Sequence, residues 1–521
     1  MTGSFASVLS PPGGRVYSFA DAVISGWADD GGMLWPTHVP RLDAATLSAW
    51  SALSYPQLCA AVLKCFVAAD DVEVTPADID AITLGAFSSF GSADVVDVAE
   101  LKQSQIHIAE LWHGPTLAFK DLGMQVLGRT LSHLLARRNE RLTLLVGTSG
   151  DTGSSAIEAV RNLDRIEIIV LYPMQTYSSI TPVQEWQMTS VAAAAANVTV
   201  VGVEGSSDDL DVPMEACFRD AQYKARHRLG SVNSVNIVRL LVQAVHYLYV
   251  HLRLDPTATR TVEFAVPCGA GGHLAAGLLA IQMGLPIRLI AATNANDALH
   301  RVLSTGSLRT GIATQPTASP SMDIQMPYNL WRLLFVASGG DGRAVRAWQS
   351  RLNSTGALEV PLAVRAWIGE HVRSVAVSDA STFDVIRAVH AADEYVLDPH
   401  TAVGVAAAWR HPYGSPAEGG VVCMGCAHAV KFLPMLARAF GTSVPAAFEM
   451  VPQRERRHTH VATVGGVACT CRPQGGGEEA AARTSRGRTT VFRRGEEWEA
   501  RLRMIIEGVT HRAGGAPASR L

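Results

Sequence analysis

Charge is scarce in this chain and nearly cancels. Of 521 residues only 17% are Asp, Glu, Lys or Arg, with 44 basic against 47 acidic side chains and a formal charge of −3. Such a balance gives no overall pull towards nucleic acid or an anionic membrane, so an anionic ligand has to be captured locally by loops and single cations. Cysteine is scarce too, and eight in this length do not make a disulfide framework. Cys59, Cys65, Cys217 and Cys268 read as reduced thiols in apolar or loop settings. Cys423 and Cys426 have C-x-x-C spacing but no second pair or spaced histidines to complete a zinc set, and Cys469 and Cys471 fall in an irregular stretch. Met1 to Gly14 lacks the basic start and apolar core of a secretory signal. The longest uncharged run, Phe264 to Ile287, is cut by Pro267, Gly269, Gly271 and Gly272 into strand, loop and helix, which excludes it as a membrane span. There is no internal repeat. The expected location is the cytoplasm.

What the chain does have is apolar substance, 48% of its residues, in a length sufficient for two or three domains with sizeable cores. Residues 15 to about 95 form a first unit. Phe19 to Gly26 reads as a short helix, Asp43 as an N-cap, and Ala44 to Phe66 as helical but broken near Pro56. Asp70 to Asp80 reads as a polar connection, and the unit as a whole as packing or lid. From residue 105 strands and helices alternate. Strands are expected at Ile106–Leu111, Leu142–Val146, Ile166–Leu171, Val198–Val203, Ile287–Thr293 and Gly420–Met424. Helices are expected at Asp121–Leu135, Ser154–Leu163, Val212–Arg226, Ile237–Val250, Asn329–Val336 and Ala402–Trp409, with Ala363–Val389 mostly helical. Short apolar strands bounded by helices imply parallel sheets covered on both faces, with ligands at the carboxyl ends of the strands. Beyond Val451 the chain becomes Gly- and Arg-rich; residues 465–490 read as mobile, Glu496–Ile506 as a helix able to dock back, and Ala513–Leu521 as frayed.

Three stretches carry chemistry. Lys120 follows an apolar strand and the tight Gly114-Pro115 turn, a placement that can dry out its ammonium and lower its pKa, although most lysines at helix starts are simply exposed. Ser149-Gly150-Asp151-Thr152-Gly153 opens a helix after a strand. Its free amides and the helix dipole suit a carboxylate or phosphate; it serves equally well as a plain cap, with Ser149 or Asp151 at the N-cap. Pro267-Cys268-Gly269-Ala270-Gly271-Gly272-His273 is a second such loop. It does not complete G-x-G-x-x-G, and no acidic residue follows at the ribose-binding distance, which favours a single phosphate over a dinucleotide.

Together with their neighbours these stretches resemble one family. His113-Gly114-Pro115-Thr116-x-x-Phe119-Lys120-Asp121 is similar to the lysine motif of threonine synthases. The resemblance continues through Thr148–Gly153, Asn233-Ser234-Val235-Asn236-Ile237-Val238-Arg239, the glycine loop, and Thr293-Asn294-x-Asn296-Asp297-x-Leu299-His300-Arg301. It runs on into Ser319–Ile324, Asp398-Pro399-His400-Thr401-Ala402-Val403-Gly404 and Ala427-His428-x-x-Lys431-Phe432, covering roughly residues 15 to 440 in order. It implies a fold-type II pyridoxal-phosphate enzyme of the α/β class, tryptophan synthase β-like, with an amino-terminal accessory domain. The expected division is 1–95 for the amino-terminal domain, 96–115 with 240–450 for a large cofactor domain, 116–239 for a small α/β domain, and 451–521 for a tail with a docking helix.

The resemblance further implies that Lys120 forms the Schiff base with pyridoxal 5'-phosphate and shuttles protons. Asp151 would face the cofactor's ring hydroxyl, Gly269, Ala270, Gly271 and Gly272 its phosphate, and Cys426 its pyridine nitrogen. Ser149, Gly150 and Thr152 would meet the substrate carboxylate, and Asn236 and Arg239 the substrate phosphate, unless these two are the polar face of a buried helix. The implied substrate is a small phosphorylated amino acid, with no nucleic-acid or membrane partner, and the expected assembly is a monomer or homodimer. Two departures stand out. Cys426 occupies a position where Ser or Thr is usual, and the phosphate loop, Gly269-Ala270-Gly271-Gly272, lacks the Asn-Phe pair common in bacterial and fungal threonine synthases. The second departure, with Met322–Asn329, is closer to threonine-synthase-like phospholyases of animals. The implied activity is therefore threonine synthase acting on O-phosphohomoserine. Its alternatives are a phospholyase giving 2-oxobutyrate, ammonia and phosphate from O-phosphohomoserine or O-phosphothreonine, and a catalytically silent homologue.

Overall fold

Apolar β-branched runs flanked by helices assemble here into two parallel sheets. The computed structural model describes residues 3–441, apart from 193, 208, 411, 415 and 416, and residues 489–514. The larger sheet runs, in spatial order, Val372–Ala376, Ile287–Thr293, Val262–Pro267, Val421–Gly425, Ile106–Glu110, Asp97–Leu101. Its strands are parallel except the last, which pairs antiparallel with Ile106–Glu110 at the edge. The smaller runs Thr489–Phe492, Val198–Val203, Ile166–Pro173, Leu142–Gly147, Leu229–Gly230, all parallel. Strands such as Val262–Pro267 and Val421–Gly425 are buried along their whole length, as a sheet covered on both faces requires.

Two helices join these layers. Ile237–Leu254 is buried from Ile237 through Leu252, because it packs at once against Lys120–Arg138, Gly272–Gln282 and Tyr55–Lys64. A helix so enclosed has no solvent stripe, which explains its apolar sequence. Lys120–Arg138 in turn packs on Asp151–Val160 and Pro76–Phe87.

Several segments differ from the sequence reading. Ala44–Phe66 is two helices, Ala44–Trp50 and Tyr55–Lys64; Asp43 caps the first as expected, but Pro56 lies in the first turn of the second, where a missing N–H costs nothing. The expected polar connection ends early, because Thr75 and Asp78 form a capping box that starts the helix Pro76–Phe87. The helix expected over Val212–Arg226 breaks at Asp220, whose carboxylate accepts from the Tyr223 amide and begins the helix Ala221–His227. The mostly helical region Ala363–Val389 contains the edge strand Val372–Ala376. Around the first unit's opening helix, Phe19–Ser25, the strands Val16–Ser18, Ser4–Ser7 and Leu34–Pro36 make a small antiparallel sheet.

The largest difference is near the carboxyl end. Thr489–Phe492, whose first two residues read as mobile, is an edge strand of the small sheet, and the helix Trp498–Gly514 packs against Asp211–Arg219 and Ala221–His227. Phe492, Leu502, Ile506 and Val509 are buried among Leu145, Ile169, Leu171, Val201 and Met214. Cys469, Cys471, the rest of 465–488 and the last residues, 515–521, lie outside the described residues. Among the described residues, no helix is long and apolar enough to cross a membrane.

Because Phe492 and Leu502 are fully buried, Phe492→Ala or Leu502→Ala should destabilise the protein by about 2–5 kcal/mol. Urea unfolding of the variants measures this; a loss below about 0.5 kcal/mol, the size expected of a surface substitution, would show that the segment does not belong to the core.

Candidate active site

The carboxyl ends of both sheets face a cavity of about 140 Å³, lined by Lys120, Ser149, Thr152, Arg239, Gly269, Ala270, Gly271, Gly272 and Cys426 among others. Lys120 is the first residue of its helix. The loop before it is pinned to the other side of the site: the Phe119 amide donates to the Cys426 carbonyl (2.8 Å), and Ala118 bridges to Ala427. Leu117 within that loop has φ +57, a left-handed conformation that a leucine adopts only under constraint. Lys120 retains 11% side-chain exposure, and burial pushes its ammonium pKa down against the pull of Asp151. Drying out makes it a better nucleophile than a surface lysine.

Asp151 does not line the cavity; it organises the floor beneath it. Its carboxylate accepts from Lys431 Nζ (2.8 Å), Gln184 Nε2 (2.8 Å), Ser321 Oγ (2.9 Å) and, at 3.5 Å, Lys120 Nζ. Burial alone would raise its pKa, but the charges of Lys431 and Lys120 outweigh it and hold the carboxyl well below the usual range. Lys431 is fully buried and also donates to the Thr116 carbonyl (2.8 Å), tying the strand-end segment to the lysine loop. His400, another wall residue, accepts the Ser321 amide at Nε2 (3.1 Å). Its proton is therefore on Nδ1, which donates to Asp398 (2.8 Å).

Of the residues expected to bind the substrate carboxylate, Ser149 and Thr152 face the cavity and Gly150 does not. The Gly150 and Gly153 amides both donate to Thr148 Oγ1 (3.0 Å each), closing the turn from within. Gly150 has φ +145, and a Cβ there would sit 2.5 Å from the Gln184 amide nitrogen, so its place is conformational. Asn236 does not line the cavity either. It is the N-cap of Ile237–Leu254, accepting from the Val238 amide and donating to the carbonyls of Val23 (2.9 Å) and Ser231 (3.3 Å), away from the cavity. Arg239, one turn later, does reach the wall. Nη1 donates to the Val232 carbonyl (3.1 Å), while Nε is buried with no hydrogen-bond partner among the described residues, and burial lowers its pKa to about 10. Such an orphaned charged donor calls for an anion.

The glycine loop supplies a second anion station. Gly271, at φ +78, is the N-cap of Gly272–Gln282 and offers no side-chain cap, leaving the first amides of that helix unclaimed by it. A Cβ on Gly269 would approach Ile324 at 3.0 Å, and one on Gly272 would approach Ser234 at 3.1 Å, so side chains at these two positions would crowd the loop's neighbours. This set fits pyridoxal phosphate: a dry lysine, a glycine cradle of helix amides, and a thiol at a strand end. Cys426 is held by its amide to Thr401 Oγ1 (2.9 Å), and burial raises its thiol pKa well above normal, so it remains an S–H, a weak partner for a ring nitrogen.

Lys431, His400, Ser321, Gln184 and His273 carry no role in the sequence reading. A lysine inside the apolar run Val430–Leu433 was the available signal for Lys431, and Asp398-Pro399-His400 for the histidine; Gln184 sits in an ordinary helical stretch.

Comparisons with known proteins agree with this geometry. Residues 12–87 match the family described as threonine synthase N terminus, 95–353 that of pyridoxal-phosphate dependent enzymes, and 401–468 that of the threonine synthase C-terminal region. Threonine synthase-like 2 of Rattus norvegicus is 37% identical over 504 residues, 96% of this chain and 96% of the relative. Threonine synthase of Pseudomonas aeruginosa is 37% identical over 448 residues, 85% of this chain and 92% of its length. The crystal structure of pyridoxal-phosphate-bound threonine synthase from Brucella melitensis matches with a TM-score of 0.80 at 32% identity, covering 98% of this chain and 99% of that one.

Lys431→Met should cost about 3–5 kcal/mol in stability, because it leaves Asp151 buried with its strongest cationic partner gone. Denaturant titration of the cofactor-free protein is the measurement; an unchanged midpoint would mean that the pair is not held as described.

Proposed function

Since the chain belongs to the threonine synthase family of pyridoxal-phosphate-dependent enzymes, we propose that it converts O-phosphohomoserine and water to threonine and inorganic phosphate. It is a lyase acting on a phosphorylated substrate. The observation carrying the finer reading is the pair of anion stations either side of one dry lysine. The glycine cradle suits a cofactor phosphate, and the unpartnered Arg239 Nε suits a second, departing phosphate.

Gly269, Ala270, Gly271 and Gly272 would hold the cofactor phosphate, Lys120 its aldehyde carbon, Cys426 its ring nitrogen, and Asp151 would act on its ring hydroxyl side from below. When bound, pyridoxal phosphate supplies an electron sink for charge at the substrate α-carbon. The rest falls to the chain. Ser149 and Thr152 bind the substrate carboxylate at a helix N-terminus, fixing the orientation of the bonds that break. Lys120 Nζ takes and returns protons at the substrate carbons, its basicity set by burial against the Asp151 charge. The Arg239 guanidinium stabilises negative charge gathering on the leaving phosphate.

A second reading is favoured by the loop Gly269-Ala270-Gly271-Gly272 and by Met322–Asn329, both closer to the threonine-synthase-like phospholyases. In it, the same phosphate loss ends in 2-oxobutyrate and ammonia. Both outcomes consume one water and have the same overall composition; they differ in whether the water's oxygen ends on the β-carbon or the α-carbon.

Product analysis with O-phosphohomoserine tests the proposal: threonine and phosphate should form in equal amounts, and 2-oxobutyrate with negligible threonine would replace the first reading by the second. Lys120→Ala should lose borohydride-fixable pyridoxal phosphate and all turnover while keeping its fold. Normal turnover by that variant would overturn the assignment of Lys120.

A further inference from the structure

Behind the cavity wall lies a line of three buried polar rings that the reaction above does not use. His273, next after the glycine cradle, lines the cavity, and Phe119 stacks on its face (centroids 5.3 Å apart, 11° between planes). Its Nε2 meets Nδ1 of His246 at 3.1 Å. His246 lies on the enclosed helix Ile237–Leu254 and is fully buried, yet its outer nitrogen, Nε2, has no hydrogen-bond partner among the described residues. Tyr55 is the next ring out, 6.3 Å from His246 between centroids, fully buried, and its hydroxyl likewise has no partner among the described residues. Tyr55 belongs to the amino-terminal unit, and its ring is wedged edge-on against Phe87 and Tyr249.

Two buried polar atoms left unpaired on neighbouring rings are unusual in a folded protein, and a shared internal water is the ordinary remedy. Burial drives the pKa of His273 down to about 3 and that of His246 far below its normal value, so both imidazoles are neutral. Exactly one hydrogen then sits between His246 Nδ1 and His273 Nε2, and its side fixes both tautomers. Whatever holds His246 Nε2 thereby decides whether His273 Nδ1 offers a lone pair or an N–H. No hydrogen bond to that Nδ1 is found among the described residues.

We propose that His273 orients the water destined for the substrate β-carbon, with His246 and Tyr55 as positioning residues that fix its tautomer through a buried water. This rests on the threonine reading above. The role is orientation only; neither ring makes or breaks a bond. It gives the amino-terminal unit a part in choosing the product, through one hydroxyl behind the active site.

The test compares products of the pyridoxal-phosphate-loaded full chain and its variants with O-phosphohomoserine. In His246→Phe phosphate release should continue while the ratio of threonine to 2-oxobutyrate falls about tenfold or more. Tyr55→Phe, which removes one oxygen and keeps the ring, should move the ratio the same way by less. His246→Gln, able to hydrogen-bond on both sides, should restore part of it. An unmoved ratio in His246→Phe and Tyr55→Phe, or a parallel loss of phosphate release and threonine, would overturn the role of His273. A wild-type protein yielding only 2-oxobutyrate would instead overturn the threonine reading before any variant is made.

Discussion

The site depends on a carboxylate shared between two lysines. Asp151 is buried beneath the cavity, with Lys431 at 2.8 Å on one side and Lys120 at 3.5 Å on the other. Remove the charge of either cation and burial would push the carboxyl towards its neutral form; remove the carboxylate and two ammonium groups would face each other in a dry space. Each lysine comes from a different stretch of the larger sheet's strand ends, while Asp151 begins a helix of the smaller sheet. One electrostatic node thus ties the two sheets together at the place where chemistry occurs. It also divides labour between the lysines. Lys431 is enclosed and anchored to the Thr116 carbonyl, whereas Lys120 keeps the looser contact and an opening to the cavity.

Much of the architecture was legible because it rests on local pattern. Apolar strands followed by helices announced parallel sheets, and the turns after Leu142–Gly147 and Val262–Pro267 carry glycines where a helix must open onto a ligand. What was not legible depends on where the rest of the chain goes. Asn236 and Arg239 share one motif three residues apart, yet one is consumed by its own helix cap and a carbonyl of the amino-terminal unit, while the other reaches the cavity. Nothing in their spacing separates these fates. Gly150 reads as an anion turn, but the Thr148 hydroxyl claims its amide first. The five-residue strand Val372–Ala376 between two helices is too short for period alone to reveal.

The chemistry of product choice is similarly non-local. Phosphate loss needs a base, an anion site and a cofactor cradle, and these lie on recognisable loops. In our proposal the course of the water afterwards turns on orientation: His273 stands on the cavity wall, and the groups that set it, His246 and Tyr55, sit behind it. His246 looks like a stray polar residue in an apolar helix, and Tyr55 like an ordinary core aromatic of a separate unit. Family membership therefore identifies the shared step more firmly than the final product.

The return of the chain to the small sheet has a consequence for how the protein is made. Val198–Val203 is an almost wholly buried strand whose outer neighbour, Thr489–Phe492, is synthesised only after the larger sheet is complete. Until then its edge amides and carbonyls have no permanent partner, and the apolar surface around Val201, Val203 and Met214 waits for Phe492 and the helix behind it. A nascent chain on the ribosome therefore carries a nearly finished active site with one sticky margin. Sealing it has to wait for residues 489–514, and a chain lacking them would expose that margin to its neighbours.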